Sequence, residues 1–329
     1  MITTAQELDD SQQPGARHTP VLLERCLALL APVASRPDAV IVDATLGMGG
    51  HSEALLEAHP GLMVIGLDRD SEAISIASAR LARFTSRFRA VHTVYDGIRR
   101  AVRGLGYQRI DGVLFDLGVS SLQLDEADRG FAYAQDAPLD MRMNQREGRT
   151  AAEVIATESE GSLRAIFERY GEEPLAARYA RAIISAREQS PIERSSQLVE
   201  VLQRATPAAV RDQRHPAKRV FQALRVEVNG ELVALERALP AALGLLNQGG
   251  RAVVMSYQSL EDRYVKRLFA ERSRSTAPAG LPVELPEHRA EFALLTRGAE
   301  LASEAERERN SRSIPVRLRA AERVREAAS

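Results

Sequence analysis

A glycine-rich turn followed at a distance by an acidic residue is the pattern in this chain best suited to hold a nucleoside. The apolar run 39–45 leads into the turn 47–51, Gly-Met-Gly-Gly-His, and a second apolar run ends at Asp68, 21 positions after Gly47. Glycines let the backbone approach a ligand closely, and a carboxylate accepts hydrogen bonds from ribose hydroxyls. The pattern therefore predicts a βα unit that binds a nucleoside cofactor.

The spacing of the glycines favours S-adenosylmethionine over a dinucleotide. A dinucleotide site has the pattern G-x-G-x-x-G with the pyrophosphate at a helix N-terminus, but here Ser52 stands at the third glycine position. S-adenosylmethionine carries no phosphate, and it needs a carboxylate for its ribose and a flat apolar slot for its adenine. Asp68 can supply the carboxylate, and Tyr95, which follows a third apolar run, can supply the slot.

The elements that must position these residues alternate between strands and helices. The runs that predict strands are 39–45, 62–68, 88–94 and 110–116, and those that predict helices are 52–59, 71–81 and 96–105. Asp70 or Ser71 is expected to cap the second of these helices. This alternation predicts an α/β fold with a parallel sheet and helices on both of its faces.

Between 124 and 216 the alternation stops, and the sequence predicts helices and no strand. Leu163, Ile166 and Tyr170 share one helical face, Glu172-Glu173-Pro174 opens a second helix, and Ser195-Ser196 caps a third. The α/β pattern then resumes with a long helix over 232–246 that Gly249-Gly250 ends, a strand over 251–256, a helix over 260–271 and a late strand over 292–296. The last residues, 301–329, are rich in Arg and Glu and are predicted to form an exposed helix or tail.

The composition excludes several classes of protein. A hydrophobic share of 44%, a charged share of 27% and no long unbroken apolar run predict a cytoplasmic protein without a membrane span, and the polar N-terminus lacks a signal sequence. The single cysteine, Cys26, permits no internal disulfide and is expected to lie in the core. It forms no metal-binding spacing with the six scattered histidines, so no metal is expected.

Several ordered blocks of the sequence closely resemble one known family. Besides the glycine turn, the blocks that carry the resemblance are 18–23 (HTPVLL), 112–125 (GVLFDLGVSSLQLD), 129–131 (RGF), 138–143 (PLDMRM), 221–229 (FQALRVEVN) and 256–262 (SYQSLED). From His18 to the C-terminal tail, the chain resembles the RsmH (MraW) family of bacterial 16S rRNA cytidine N4-methyltransferases.

The resemblance implies a class I, Rossmann-like, S-adenosylmethionine-dependent methyltransferase with a helical insertion domain. The substrate would be a cytidine in the decoding region of 16S rRNA, in the small ribosomal subunit. The methyltransferase domain would span 18–123 and 217–300, the RNA-recognition insertion 124–216, and flexible tails 1–17 and 301–329. The family's cofactor contacts fall on Gly49, Gly50, His51, Asp68, Tyr95, Asp116 and Gln123.

Two departures from the family pattern bear on the mechanism. The family usually reads Ser-Phe-His-Ser-Leu-Glu-Asp where this chain has Tyr257 and Gln258. Glutamine cannot replace a histidine that accepts a proton, so no base is assigned there. The segment 310–315 follows the family's Arg/Ser-rich pattern only in part, which weakens the case for an RNA role of the tail.

Methyl transfer to cytosine N4 needs acceptors that localise the lone pair of a poorly nucleophilic nitrogen. In an open α/β sheet such groups converge at the turn after the fourth strand, so Asp116 and the carbonyls of Leu117 and Gly118 are the candidates. The alternative for Asp116 is a contact with the cofactor alone. No strong base is required, because the methylated nitrogen is acidic enough to lose its proton to water.

The cations of the chain favour local contacts with RNA phosphates over general binding of polyanions. The net charge is −1, and nearly all cations are Arg, with Lys218 and Lys266 as the only lysines. The aromatic side chains of Phe131 and Tyr133 lie just past the pocket turn. The residues expected to contact substrate RNA are Arg142, Arg214, Lys218 and Arg219. The alternative is a solvated helical face with core aromatics.

Three other functions are alternatives to an RNA methyltransferase. A nicotinamide dehydrogenase would have a complete third glycine and an acid–base histidine, and neither is evident. A methyltransferase of amino groups in DNA would usually show an Asn/Asp-Pro-Pro-aromatic turn, and 116–119, Asp-Leu-Gly-Val, has no proline. A non-catalytic RNA-binding module would not need the intact glycine turn, Asp68 and Asp116. The sequence allows a homodimer without requiring one.

Overall fold

The computed structural model describes residues 20–120, 122–123, 126–211, 215–278 and 285–325. Its centre is one seven-stranded sheet with the strand order β3-β2-β1-β4-β5-β7-β6. The strands are β1 Val40–Asp43, β2 Met63–Asp68, β3 Phe88–His92, β4 Ile110–Asp116, β5 Leu246–Ser256, β6 Phe292–Leu294 and β7 Arg317–Arg323. Strands β1 to β5 are parallel, whereas β7 is antiparallel to β5 and β6. This arrangement confirms the predicted α/β, Rossmann-like class.

The strand order reverses direction between β1 and β4. In an open α/β sheet, the carboxyl ends of the strands at such a switch point form a crevice in which ligands bind. The register places Asp43, the last residue of β1, beside Leu114 of β4 and beside Gly66 of β2. The turn that follows β1 and the residues that end β2 and β4 therefore lie around one crevice.

Helices pack on both faces of the sheet and extend beyond it. They are α1 Leu23–Ala34, α2 Gly50–Ala58, α3 Ser71–Arg80, α4 Ile98–Gly104, α5 Ala151–Thr157, α6 Glu160–Gly171, α7 Ala176–Arg187, α8 Ser195–Ala205, α9 Ala208–Arg211, α10 Ala217–Asn229, α11 Glu231–Leu245, α12 Ser259–Arg272 and α13 Glu304–Arg309. Successive residues of a strand face opposite sides. Val42 of β1 accordingly joins one hydrophobic cluster with α11 and α12, whereas Ile41 joins a second cluster with α1 and α2.

The helical segment has a hydrophobic cluster of its own. Helices α5 to α8 contribute buried residues such as Phe167 and Tyr179, and α10 adds Val220, Phe221 and Leu224. No strand occurs over the described residues of 126–211, where Pro138 and Arg194 form an isolated bridge. Helix α10, which the sequence predicts as part of the methyltransferase domain, packs into this cluster. The division into domains stays a prediction.

The C-terminal segment differs most from its sequence prediction. Residues 301–329 were predicted to form an exposed helix or tail, but they include β7, which lies between β5 and β6 with Leu318, Ala320 and Ala321 fully buried. The prediction was wrong because the charged residues of this strand find partners elsewhere in the fold. Arg319 donates to the Asp262 carboxylate at 2.7 Å, and the Arg323 guanidinium lies over the Phe292 ring at 5.3 Å.

Smaller differences concern element boundaries. Helix α11 already ends at Leu245, and Gly249 and Gly250 lie inside the long strand β5 instead of ending the helix. Asp70 caps α3 as predicted, because its side chain accepts a hydrogen bond from the Glu72 backbone N–H. Cys26 is buried on α1 as predicted. The predicted N-terminal tail, 1–17, lies outside the described residues, and none of the helices in the described ranges is long and apolar enough to cross a membrane.

Candidate active site

One cavity of about 520 Å³ opens at the switch point of the sheet. Its walls come from the glycine turn after β1, the ends of β2 and β4, the turn after β5, and helix α10 of the helical cluster. A volume of this size suits a ligand as large as a nucleoside derivative together with a second reactant. The same cavity thus connects the predicted cofactor turn to the predicted RNA-binding insertion.

The glycine turn needs glycine for conformation and for packing. Gly49 has a φ of 80°, and a Cβ placed there would lie 3.2 Å from Leu81 Cδ1 and 3.3 Å from Ala77 Cβ. A Cβ on Gly50 would lie 2.5 Å from Pro20 Cγ. Gly50 lines the cavity, whereas Gly49 is not among the described residues that line it. The role of Gly49 is to let helix α2 begin close to helix α3.

Asp68 holds the glycine turn against the end of β2. Its Oδ2 accepts a hydrogen bond from the Gly47 N–H at 2.8 Å, and its Oδ1 accepts one from the Asp70 N–H at 2.9 Å. Burial raises the pKa of the Asp68 carboxyl, and the two backbone N–H groups oppose that shift. Each carboxylate oxygen has two lone pairs, so one remains on each for a ribose hydroxyl.

Tyr95 and Gln123 line the cavity beside Asp68. The Tyr95 ring packs edge-on against Phe115 at 5.9 Å, and its hydroxyl donates to the Glu231 carbonyl at 3.0 Å. Burial raises the pKa of Tyr95, which keeps the phenol neutral. Gln123 donates from Nε2 to the Asp70 carboxylate at 3.2 Å. Both side chains are therefore held in place by the fold, and Tyr95 offers an apolar wall suited to adenine.

Asp116 ends β4 and is the central acidic group of the cavity. Its Oδ1 accepts a hydrogen bond from the Tyr257 hydroxyl at 2.7 Å, and its backbone N–H donates to the Thr45 hydroxyl at 2.6 Å. Burial raises the pKa of Asp116 to about 6, and the Tyr257 hydrogen bond acts in the opposite direction. At neutral pH the group is therefore mostly a carboxylate, which is the form that accepts hydrogen bonds.

His51 lies between Asp116 and the N-terminal segment. Its Nδ1 is 3.8 Å from Asp116 Oδ2, and its Nε2 is 3.2 Å from the Val21 carbonyl. Burial lowers the pKa of His51, so the ring is neutral and the contact with Asp116 is not an ion pair. A neutral ring that donates from Nε2 to the carbonyl leaves Nδ1 as an acceptor. Burial also raises the pKa of the neighbouring Asp43, which accepts from Ser52 Oγ at 2.7 Å.

Sequence reasoning missed the turn after β5. Glu261 Oε2 accepts hydrogen bonds from the backbone N–H groups of Tyr257 and Gln258 at 2.9 and 3.0 Å, and burial raises the pKa of Glu261 to about 7. This turn brings Tyr257 onto Asp116 and places Gln258 in the cavity wall. The sequence signals were that 256–262 is one of the blocks that resemble the family and that Tyr257 and Gln258 depart from the family pattern within it.

The cavity wall also includes Ser311, Arg312 and Pro315. They belong to the segment predicted as a tail, and the partial Arg/Ser pattern of 310–315 was the one signal that pointed to them.

The predicted RNA-contacting residues are placed differently from one another. Lys218 is exposed and lines the cavity, as does Tyr133, which stacks on His215 with ring centroids 4.4 Å apart. Arg219 donates to the Glu172 carbonyl. Arg142 forms a bidentate pair with Asp140, with both contacts at 2.8 Å. Arg214 lies outside the described residues.

The fold and the site together define a class of enzyme. Four features fit S-adenosylmethionine as the cofactor. They are a doubly wound sheet, a cavity at its switch point, a carboxylate at the end of β2, and a glycine turn that lacks the third glycine of a dinucleotide site. In the described part of the chain, no group of three His, Cys, Asp or Glu side chains could hold a metal ion. The protein is a Rossmann-like, S-adenosylmethionine-dependent methyltransferase.

The chain belongs to the MraW methylase family, whose family model matches residues 15–324. It is 65% identical to the ribosomal RNA small subunit methyltransferase H of Leifsonia xyli subsp. xyli, over 94% of this chain and 96% of the relative. The protein of the same name from Clavibacter michiganensis subsp. michiganensis is also 65% identical, over 94% of this chain and 97% of the relative. Among solved structures, an rRNA methylase from Streptococcus thermophilus is similar with a TM-score of 0.42 and 13% identity, over 92% of this chain and 95% of that chain.

Proposed function

We propose that this protein transfers a methyl group from S-adenosylmethionine to N4 of a cytidine in the decoding region of 16S rRNA. The observation that carries the proposal is the single cavity that joins the glycine turn and Asp68 to Asp116 and the helical insertion. Relatives at 65% identity over nearly their whole length are named as methyltransferases of small-subunit ribosomal RNA. The geometry and the relatives thus support the same reaction.

The cavity has two ends with different chemistry. The cofactor end comprises the glycine-turn residues Gly47, Met48, Gly50 and His51 together with Asp68, Tyr95 and Gln123, and it offers acceptors for ribose and an apolar wall for adenine. When bound there, S-adenosylmethionine supplies an electrophilic methyl carbon. The substrate end comprises Phe131, Tyr133, Lys218, Gln222, Tyr257 and Gln258. Asp116 lies where the two ends meet.

Asp116 acts on the target nitrogen in this proposal. The N4 lone pair of cytosine is delocalised into the ring, and acceptors for the N4 hydrogens help to localise it. The Asp116 carboxylate, together with the Leu117 and Gly118 carbonyls, supplies such acceptors at the end of β4. Tyr257 holds Asp116 from the opposite side, through the hydrogen bond to Oδ1. The proton lost after transfer goes to water, so no strong base is needed.

The protein also holds the two reactants in line and excludes water. Positioning of this kind contributes up to roughly 7–11 kcal/mol to lowering a barrier. Helix α10 and the segment 311–315 add walls to the cavity beyond those from the sheet. The target base must leave its stack to enter, as bases do in other enzymes that modify them.

The helical insertion together with α10 would receive the RNA. Unpaired bases are recognised by aromatic side chains and by cations that contact phosphates. Tyr133 and Lys218 are placed for these roles at the cavity wall. Arg142 and Arg219 would contact the RNA backbone further out, and Arg214, outside the described residues, stays a predicted RNA contact. A ribosomal substrate would place the reaction in the cytoplasm, and a homodimer stays a prediction.

The test is labelled-methyl transfer to small ribosomal subunits, free 16S rRNA and DNA in parallel. We expect label in 16S rRNA, at N4 of one cytidine after digestion to nucleosides, and none in DNA. Comparison of subunits with free rRNA then identifies the form of the substrate. Label in DNA and not in rRNA would overturn the proposal in favour of a methyltransferase that acts on another nucleic acid.

A further inference from the structure

Gln258 has a buried polar atom without a partner in the wall of the active-site cavity. The side chain is 7% exposed, and its Nε2 makes no hydrogen bond within the described part of the chain. A buried N–H group without an acceptor is costly, so on a residue that lines a cavity it is a candidate contact for a ligand. The backbone N–H of Gln258 is bonded to Glu261, so the helix cap does not require the side-chain nitrogen.

The orientation of this amide is set by the helical insertion. Gln222 of α10 donates from Nε2 to the Tyr170 backbone carbonyl at 3.3 Å and to Gln258 Oε1 at 3.1 Å. A backbone carbonyl only accepts hydrogen bonds, so Gln222 must place its NH₂ group on this side. Gln258 must then turn its oxygen towards Gln222, which leaves its NH₂ group without a partner among the described residues. A chain of three groups thus fixes the orientation of an unpaired donor on a residue that lines the cavity.

Gln258 is also connected to the acidic group Asp116, through its sequence neighbour Tyr257. The preceding residue, Tyr257, donates to Asp116, and both Asp116 and Gln258 line the cavity. The lining of the cavity therefore includes both an acceptor, Asp116, and a residue with an unpaired donor, Gln258. The Watson–Crick edge of cytosine has the complementary pattern, with N4–H donors next to the acceptors N3 and O2. Uracil has a donor at N3 and an acceptor at position 4, so the same wall would oppose it.

We propose that the Gln258 amide donates a hydrogen bond to the acceptor edge of the target cytosine, and that Gln222 is the positioning residue that orients it. The inference rests on the proposed function and assigns a base-recognition contact within it. Enzymes that act on extruded bases read them through hydrogen bonds to this edge. In this protein the contact binds the ring and aligns N4, while Asp116 accepts from the N4 hydrogens.

Two variants of Gln258 separate this role from a structural one. Gln258→Glu keeps the shape and the oxygen that accepts from Gln222, but replaces the donor with a carboxylate oxygen. Gln258→Met removes the donor without adding charge. For both we expect kcat/KM for small subunits to fall about tenfold to a hundredfold, mainly through KM, since a good base contact is worth that much discrimination. The dissociation constant of S-adenosylhomocysteine should stay at the wild-type value. The melting temperature should fall without preventing folding at the assay temperature, because Gln258→Glu buries a charge and Gln258→Met removes the oxygen that accepts from Gln222.

Gln222→Glu tests the orienting role, and Gln203→Glu is the matched control. An acceptor at position 222 would draw the Gln258 NH₂ group away from the cavity, so Gln222→Glu should raise KM in the same way. Gln203 is exposed on α8 and is not among the described residues that line the cavity, and its substitution adds the same charge. We expect no change in KM for this control.

The outcomes are distinguishable. Wild-type KM in both Gln258 variants would overturn the inference, and so would a loss of S-adenosylhomocysteine affinity that accounts for the whole loss of activity. A KM as high for Gln203→Glu as for Gln258→Glu would assign the effect to charge and also overturn it. A wild-type protein that labels no RNA would instead refute the proposed function itself.

Discussion

The cofactor end and the substrate end of the cavity are built in different ways. At the cofactor end, backbone groups dominate, because Asp68 bonds the N–H groups of Gly47 and Asp70, and Gly49 packs against α3. At the substrate end, side chains bond to side chains, as in Tyr257 with Asp116 and Gln222 with Gln258. Changes at the cofactor end should therefore affect ligand affinity and folding, whereas changes at the substrate end should affect catalysis with little effect on folding.

The largest effect is expected for Asp116→Ala, at the boundary between the two ends. Loss of the acceptor for the N4 hydrogens should lower kcat for small subunits by about a hundredfold or more, as expected for a group that acts in the transition state. Single-turnover methyl transfer measures the rate, and calorimetry measures the affinity for S-adenosylhomocysteine. Full turnover with normal affinity would remove Asp116 from the mechanism, and a loss confined to affinity would assign it to the cofactor end.

Asp68→Asn should act on the cofactor end alone. One of its two acceptor oxygens becomes an NH₂ group, so the dissociation constant of S-adenosylmethionine should rise about tenfold, as for a lost hydrogen bond to a charged group. KM for small subunits should stay within about twofold of the wild-type value.

Asp111→Asn provides the control for Asp68→Asn. Asp111 lies near the start of β4 and also accepts from a backbone N–H, that of Val40, at 3.0 Å. It is not among the described residues that line the cavity. A similar loss of cofactor affinity in this variant would show that Asp68 acts only through the fold.

The two ends of the cavity also differ in how well the sequence predicts them. The cofactor end is local, since the turn and Asp68 lie 21 positions apart, and buried parallel strands read as continuous apolar runs. The contacts of the substrate end join residues 141 and 36 positions apart, and no local pattern signals them. Strand β7 was missed for a related reason, because the partners of its charges, such as Asp262 for Arg319, come from other elements.

Gly49→Ala tests whether the cofactor end is coupled to folding. A left-handed conformation costs an alanine about 1–2 kcal/mol, and the added Cβ would press on Leu81 and Ala77. We expect the free energy of unfolding, measured by urea denaturation, to fall by about that amount. Gly61→Ala is the control, because a Cβ there meets nothing within 4 Å. Equal stability of the two variants would contradict the coupling.

The smallest effect is expected for Tyr257→Phe, and it is best seen as a shift in pH dependence. The pKa of Asp116 is raised to about 6 because burial outweighs the Tyr257 hydroxyl, whose hydrogen bond favours the carboxylate and lowers the pKa. Without that hydrogen bond the pKa must rise, which protonates part of Asp116 at neutral pH. Because the carboxylate is the form that accepts the N4 hydrogens, kcat should fall severalfold at pH 7 and recover as the pH increases.

The acidic limb of the kcat profile for Tyr257→Phe should accordingly lie at higher pH than in the wild type, while the melting temperature changes little. Tyr264→Phe is the matched control, since that hydroxyl bonds the Glu236 carbonyl and the residue is not among the described ones that line the cavity. An unshifted acidic limb in Tyr257→Phe would mean that Asp116 does not set the pH dependence. Of the two side-chain contacts at the substrate end, only the Gln222–Gln258 hydrogen bond would then remain as a candidate for affecting catalysis.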